Sequence, residues 1–438
     1  MRALCVIEIC DAGLVLADAE GVRAESPGFA LLHRREILVG EAARAQARRH
    51  PRQVQHRFWQ ELDQQPLARP HRDARSHADL AYHHLRALWQ EAEGCEEALL
   101  AVPADYSREQ LALLLGIARA CGIPVSGLMP APLAAGAAAG GGELLLLDIQ
   151  LHRVLAHRIG EDDGQLTLTA SQAVIDQGLL ALEDVWATML ERQFVEQARF
   201  NPLHDADSEQ RLYDCMAQWW RAPLRDGRQQ LAYPAGARDY RISIDPRAWR
   251  EAAADCYGAL CDAAARAGAD TRILLTHRLA ALPGLTQTLR EAASAEVLAL
   301  EAGAAAQAMM RHADSIRSDA EAPLLVTSLP RSPVAMSPSP EPARPPTHLL
   351  WGDTAWRLGS RALLLDGEAP RAGAGDGCRI RRQGDRVELE VPEGSPVRRN
   401  GEIVRGTVVL GTGDRLAVGG QAEPYRLIAE AHDGTTAA

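Results

Sequence analysis

Ala98–Ile159 reads ALLAVPADYSREQLALLLGIARACGIPVSGLMPAPLAAGAAAGGGELLLLDIQLHRVLAHRI. A short apolar run closes on Val102-Pro103-Ala104 and predicts a strand. A helix carrying Gln110 follows and runs through Ala118 towards Gly122. Next come Pro130-Ala131-Pro132-Leu133-Ala134-Ala135-Gly136 and a fully apolar strand that ends at Asp148. The residues after that aspartate are Gln150-Leu151-His152. The Gly140-Gly141-Gly142 run precedes a strand, the wrong side for a phosphate site at a helix N-terminus, and reads as a flexible connection.

The order of these features resembles the nucleotide-binding domain of Hsp70 proteins, within the actin-like ATPase superfamily. The family pattern is V-P-A, Q-R-x-A, A-G, E-P-x-A-A and D-x-G-G-G-T. Here the glycine triplet stands as Gln150-Leu151-His152, and the glutamate before the proline is Ala131. A Gly-rich turn cradles phosphate oxygens with consecutive backbone N–H groups, at φ values that side chains disfavour. The resemblance thus implies a two-lobed actin/Hsp70-like α/β fold over residues 1–325 whose phosphate loop has lost its chemistry.

The rest of the chain repeats this retention of frame and loss of chemistry. Ala3–Ile9 and Leu14–Ala17 read as the first two strands. The family joins them by a D-L-G-T-T-N-S phosphate loop, but here the stretch is Glu8-Ile9-Cys10-Asp11-Ala12-Gly13-Leu14, so the family aspartate is either displaced to Asp11 or replaced by Glu8. Leu38–Gln46 resembles V-G-x-x-A-K-x-Q, and His50-Pro51 the N-P after it; counting onward, the catalytic lysine falls on Trp59. Trp59, with Phe58, reads as a core or cleft-filling aromatic, or as a plug of the old nucleotide cleft. Thr276 and His277 replace the paired glycines of V-G-G-x-S-R-x-P, which approach adenosine. Glu301–Gln307 resembles the closing E-A-V-A-x-G-A-A helix. Further helices are expected over 77–93, 182–199, from Arg211, and from Asp245 to about Arg266, with Val185, Met189, Phe194 and Val195 as core positions. Trp219-Trp220 reads as a packed helix face or a stacking platform.

Composition narrows the function classes. The chain has 438 residues, 47% of them hydrophobic, and a formal net charge of −11, which offers no general attraction to nucleic acid or anionic lipid. No apolar run nears the ~18 residues of a membrane span. The N-terminus, MRALCVIEIC, is too short and acidic for a signal peptide. Eight scattered cysteines form no C-x-x-C pair, so reduced thiols and a cytoplasmic location are expected. All 47 basic residues are arginine, as alanine, arginine, glycine and leucine richness in a GC-rich bacterial genome would produce; no lysine exists to hold a γ-phosphate. His83-His84, His152 and His157 lack a ligand pattern around them and read as ordinary histidines, with His152 facing the cleft. No catalytic residue and no metal site is expected.

From 326 to 347 a Pro/Ser-rich stretch reads as a linker, followed by short β-type runs over 348–430 and a tail, 431–438. Arg399-Asn400-Gly401-Glu402-Ile403-Val404, Leu410–Leu416 and Val418-Gly419 resemble forkhead-associated (FHA) domains, which bind phosphothreonine. The FHA loop positions fall on Ser360, Arg361, Arg399 and Asn400, and the expected serine and histidine on Ala374 and Gly377, so no phosphopeptide binding is expected.

The resulting expectation is a non-catalytic Hsp70-like pseudo-ATPase that acts as an interaction scaffold or adaptor, with other proteins as partners through its lobes and its β domain, and with no cofactor. Two alternatives stay open: an ATP- and Mg-dependent chaperone-like protein with a divergent site around Asp148, and an actin-like assembly protein.

Overall fold

The computed structural model describes residues 3–33, 36–221, 227–236, 238–268, 270–293, 295–318, 323–331, 346–351, 354–359, 361–366, 369–372, 377–383, 386–392, 397–399, 402–404, 406–418 and 425–428. The chain is mixed α/β, with 12 helices among these residues, and divides into two compact units, 1–336 and 337–438.

Two large sheets organise the first unit. One orders Val125–Pro130, Glu97–Val102, Leu4–Glu8, Leu14–Asp18 and Gly21–Ser26. The other orders Val297–Ala299, Arg272–Leu275, Leu144–Ile149, Val154–Asp162, Gln165–Ile175 and Ser328–Pro330. They share one plan: a hairpin and a further antiparallel strand on one side, two parallel strands on the other. Leu4–Glu8 and Leu144–Ile149 are thus interior strands, covered on both faces, which explains why both read as almost unbroken apolar runs.

The connections follow local chemistry. Helix His77–Trp89 starts at a capping box, Ser76 with Asp79, and helix Arg108–Ala120 at another, Ser107 with Gln110. Both helices cover the outer face of the first sheet. Helices Leu179–Ala198, Ala206–Trp219 and Ala254–Ala265 cover the second, around Trp186, Phe194 and Trp249. Between the sheets lie two short helices, Ala131–Ala138 and Ala304–Arg311. Their alanines and Gly136 permit this close approach: a Cβ on Gly136 would stand 3.0 Å from Ile159 Cδ1.

Several expectations change. Ser328–Pro330 pairs with Gln165–Thr167, and Leu329 is fully buried, so the segment expected to open the linker completes the second sheet instead; 332–345 lies outside the described residues. Val185 and Val195 face out at 42% and 36% exposure, because the 20-residue helix buries only the stripe holding Trp186, Met189, Leu190 and Phe194. The helix expected from Asp245 is two, Arg247–Ala252 and Ala254–Ala265, although Asp245 Oδ1 does accept the Arg247 N–H at 2.9 Å. Cys5 and Cys95 form a disulfide, against the expectation of reduced thiols throughout. Parallel pairing of Leu4 with Glu97 brings them together across 90 residues.

The second unit contributes eleven strands among its described residues, in one six-stranded and one five-stranded sheet, all pairings antiparallel. Leu349, Ile380, Leu389, Val397, Leu416, Tyr425 and Leu427 form its core. The short β-type runs expected over 348–430 include strands Leu363–Leu365, Cys378–Gln383, Arg386–Val391, Gly406–Leu410, Arg415–Val418 and Tyr425–Ile428; His348–Trp351, Thr354–Arg357, Arg371–Ala372, Val397–Arg399 and Glu402–Val404 are additional ones.

Candidate functional site

The turns of the two central hairpins, 9–13 and 150–153, meet in the first unit. Cys10 Sγ lies 3.9 Å from Ile149 O, and Leu151 N–H donates to Asp11 Oδ1 at 2.8 Å. The backbone donor of Leu151 is therefore taken by the chain's own carboxylate. Asp11 is 4% exposed, and its buried Oδ2 meets no hydrogen-bond partner among the described residues. Burial pushes its pKa from 3.8 to about 6, against the Leu151 N–H and Arg153, which pull it down. Gly28 N–H donates to Asp11 O at 2.8 Å and fixes the loop from behind.

Two carbonyls of the second turn are engaged as well. Leu179 N–H donates to Gln150 O at 2.9 Å and Leu180 N–H to Leu151 O at 3.1 Å, so the first donors of helix Leu179–Ala198 end on this turn. Gly178 permits the approach, since a Cβ there would lie 2.2 Å from Gln150 O and 2.5 Å from Arg153 N. Gln150 Oε1 accepts from Arg153 Nε at 2.7 Å, and Arg153 pairs with Asp105 at 2.5 Å. The Leu151 side chain is buried with Phe29, Leu31 and Ala43.

Across the sheets, Glu8 pairs with Arg278, both buried. Thr276 and His277 stand at the start of helix His277–Ala280, with His277 Nε2 3.6 Å from Glu25 Oε1. That contact holds the Glu25 carboxyl below its ordinary range. Asp148 Oδ1 and Thr276 Oγ1 are buried with no partner among the described residues. Glu8, Asp148, Thr276, His277, Glu301 and Gly303 line a cavity of about 40 Å³. That is room for a few water molecules.

Of the expected positions, Glu8, Asp148, Thr276 and His277 line this cavity, Asp11, Gln150 and His152 stand in the two turns, and Trp59 lies elsewhere. It is 2% exposed, packs in the first sheet's core and donates its indole N–H to His84 Nδ1 at 2.9 Å, with Ser26 Oγ on the other ring nitrogen at 2.7 Å. It does not line the cavity, so the plug reading gives way to the core reading. His152 meets His56, Nε2 to Nδ1 at 2.9 Å, and burial and His56 hold its pKa down at about 4. His157 is buried beside Ser171, and among the described residues no group of three or more His, Cys, Asp or Glu is arranged to hold a metal ion. Trp220 packs on Trp186, as a helix face rather than a platform.

Sequence reasoning missed the role of Arg278, although an arginine inside the apolar run LLTHRLAAL signals a buried partner; it reads Asp176-Gln177-Gly178 as the turn entering a helix, which Gly178 does cap, but not the close approach that Gly178 permits. In the second unit, Arg399 pairs with the buried Asp414 at 2.8 Å, Arg361 is exposed, and Ser360, Ala374 and Asn400 lie outside the described residues. No family model matches the chain, and no curated protein matches it.

Proposed function

We propose that residues 1–325 are a degenerate actin/Hsp70-like domain, that the β-strand unit after it is FHA-like, and that the protein works as a non-catalytic scaffold or adaptor for other proteins. The shared plan of the two sheets supports the fold reading: a hairpin centred in each, with the two turns facing each other, is the arrangement that the resemblance implies. One observation carries the functional reading: Leu151 N–H, the donor a phosphate oxygen would need, is held by Asp11.

ATP·Mg, which the family resemblance implies, does not fit these residues. Three carboxylates, Glu8, Asp148 and Glu301, line the cavity, and the buried cation beside it, Arg278, is paired with Glu8. A triphosphate there would meet negative charge without a backbone cradle. Calorimetric titration of the full chain with ATP·Mg tests the reading. We expect no heat of binding up to millimolar nucleotide. A micromolar dissociation constant, or a clear melting shift with millimolar ATP, refutes it. The partners read most directly as proteins, because the net charge of −11 disfavours nucleic acid.

A further inference from the structure

A second and larger cavity, about 260 Å³, lies where the turn after helix Glu41–Arg44 faces helices Leu179–Ala198 and Ala206–Trp219. Its size approaches that of small-ligand sites, roughly 300–1,000 Å³. One part of its wall is apolar: Phe29, Ala47, Pro51, Val54 and Leu180. The rest is charged, and nearly every charge there is matched. Arg44 forks onto Glu41 at 2.7 and 2.8 Å. Arg48 reaches Asp184 at 2.8 Å and Glu209 at 3.6 Å, with its guanidinium 3.6 Å from the centre of the Tyr213 ring. Tyr213 O–H donates to Asp184 at 2.6 Å. Gln210, almost fully buried, accepts Arg48 N–H and donates to Arg44 O and Asp214.

Glu183 is the exception. Its half-buried carboxyl group lines the cavity and makes no hydrogen bond or ion pair among the described residues. The two nearest arginines are committed to other carboxylates. The exposed Arg221 stacks over Trp220. An unpartnered carboxylate on a cavity with an apolar wall is complementary to a forked cation on a carbon body. From this geometry we infer that the cavity is a binding site for an organic cation of the guanidinium or amidinium class, with Glu183 as its charge partner and the Phe29–Leu180 wall against its apolar part. The cation comes either from a free small molecule or from an arginine side chain of a partner protein.

Burial raises the Glu183 pKa to about 7, with Arg44, Arg48 and Arg221 opposing and Asp184 adding to the rise. His56, on the same wall, is held below its ordinary range by burial and by Arg57 and Arg48. Tyr213 lines the cavity from the third element, and burial pushes its phenol further above its ordinary range. The cation binds the ionised form of Glu183, so its affinity rises with pH between 6 and 8, by about tenfold for one group near 7.

The test titrates the full chain calorimetrically with agmatine, benzamidine, the uncharged benzamide, and a capped Gly-Arg-Gly peptide. We expect saturable binding of at least one cation, none of benzamide, and a loss of tenfold or more in Glu183→Gln, a near-isosteric change whose folding is checked by circular dichroism. Binding of agmatine or benzamidine without the peptide identifies a small-molecule site; binding of the peptide identifies a side-chain site. If Glu183→Gln misfolds, the wild-type pH series decides. The inference is overturned if no cation saturates, if benzamide binds equally, if folded Glu183→Gln binds unchanged, or if affinity is the same at pH 6 and pH 8.

Discussion

Replacing Asp11 with asparagine should stabilise this protein, although Asp11 makes the hydrogen bond that joins the two turns. Its carboxyl is buried, Oδ1 accepts the Leu151 N–H at 2.8 Å, and Oδ2 has no partner among the described residues. Burial outweighs that bond and moves the pKa from 3.8 to about 6. A carboxyl that ionises less readily in the folded chain than in the unfolded one works against folding once the pH passes the unfolded value. The cost grows from pH 4 to pH 6 and then stays constant. At 1.36 kcal/mol per pH unit it comes to about 3 kcal/mol at pH 7.5, about 1 at pH 4.5 and nearly nothing at pH 3. Asparagine keeps a carbonyl for Leu151 N–H and carries no charge to bury.

Urea unfolding of the wild type and Asp11→Asn at pH 7.5 and pH 4.5 measures this. The variant should be the more stable at pH 7.5 by about 2–3 kcal/mol, with the advantage shrinking by about 2 kcal/mol at pH 4.5. Loss of stability at both pH values, or a difference that does not change with pH, would show that the contact rather than the buried charge dominates, and the reasoning would fail. The same variant should still not bind ATP·Mg, because its amide oxygen continues to hold the loop donor.

Gly178→Ala should cost about 1–3 kcal/mol, since its Cβ would fall 2.2 Å from Gln150 O. Gly116→Ala, on an exposed helix face with nothing within 4 Å, should gain up to about 1 kcal/mol; urea midpoints for the pair separate contact from backbone entropy, and equal effects would refute the packing account. Arg399→Ala should destabilise the second unit by about 1 kcal/mol, given an arginine a third exposed, as it removes the Arg399–Asp414 pair. A phosphothreonine peptide library passed over the full chain should show no preference for phosphorylated peptides; selective retention lost in Arg361→Ala would make the second unit a phosphopeptide reader.

Legibility in the sequence followed how local each signal was. The central strands and most C-terminal runs depend on neighbours within a few residues, and those were readable; the capping boxes at Ser76 and Ser107 are as local but were not read. Glu8, Asp148, Thr276 and His277, which line one cavity, stand at or next to strand ends, where the sequence pattern could place them. What they do there was not readable. Whether Trp59 fills a core or a cleft depends on His84, 25 residues away, and the Glu8–Arg278 pair spans 270 residues. The Cys5–Cys95 pairing follows from strand register, which motif spacing does not encode. The 182–199 helix pattern placed Val185 and Val195 inside because β-branched apolar residues on a long helix resemble core, and only packing against Trp186 and Phe194 chose the buried stripe.

The contacts around the two turns have a common physical logic. A buried backbone N–H costs free energy unless an acceptor reaches it. Asp11 supplies that acceptor for Leu151, while the carbonyls of Gln150 and Leu151 take the first donors of helix Leu179–Ala198. The side chains of the second turn also have places: Leu151 goes into the cluster with Phe29 and Leu31, and His152 onto His56. Arg278 without Glu8 would be a buried unpaired charge, and the pair removes that cost. These contacts join the two sheets. Leu151→Gly would empty a buried apolar site without freeing the N–H from Asp11, so it should lose stability and gain no nucleotide binding.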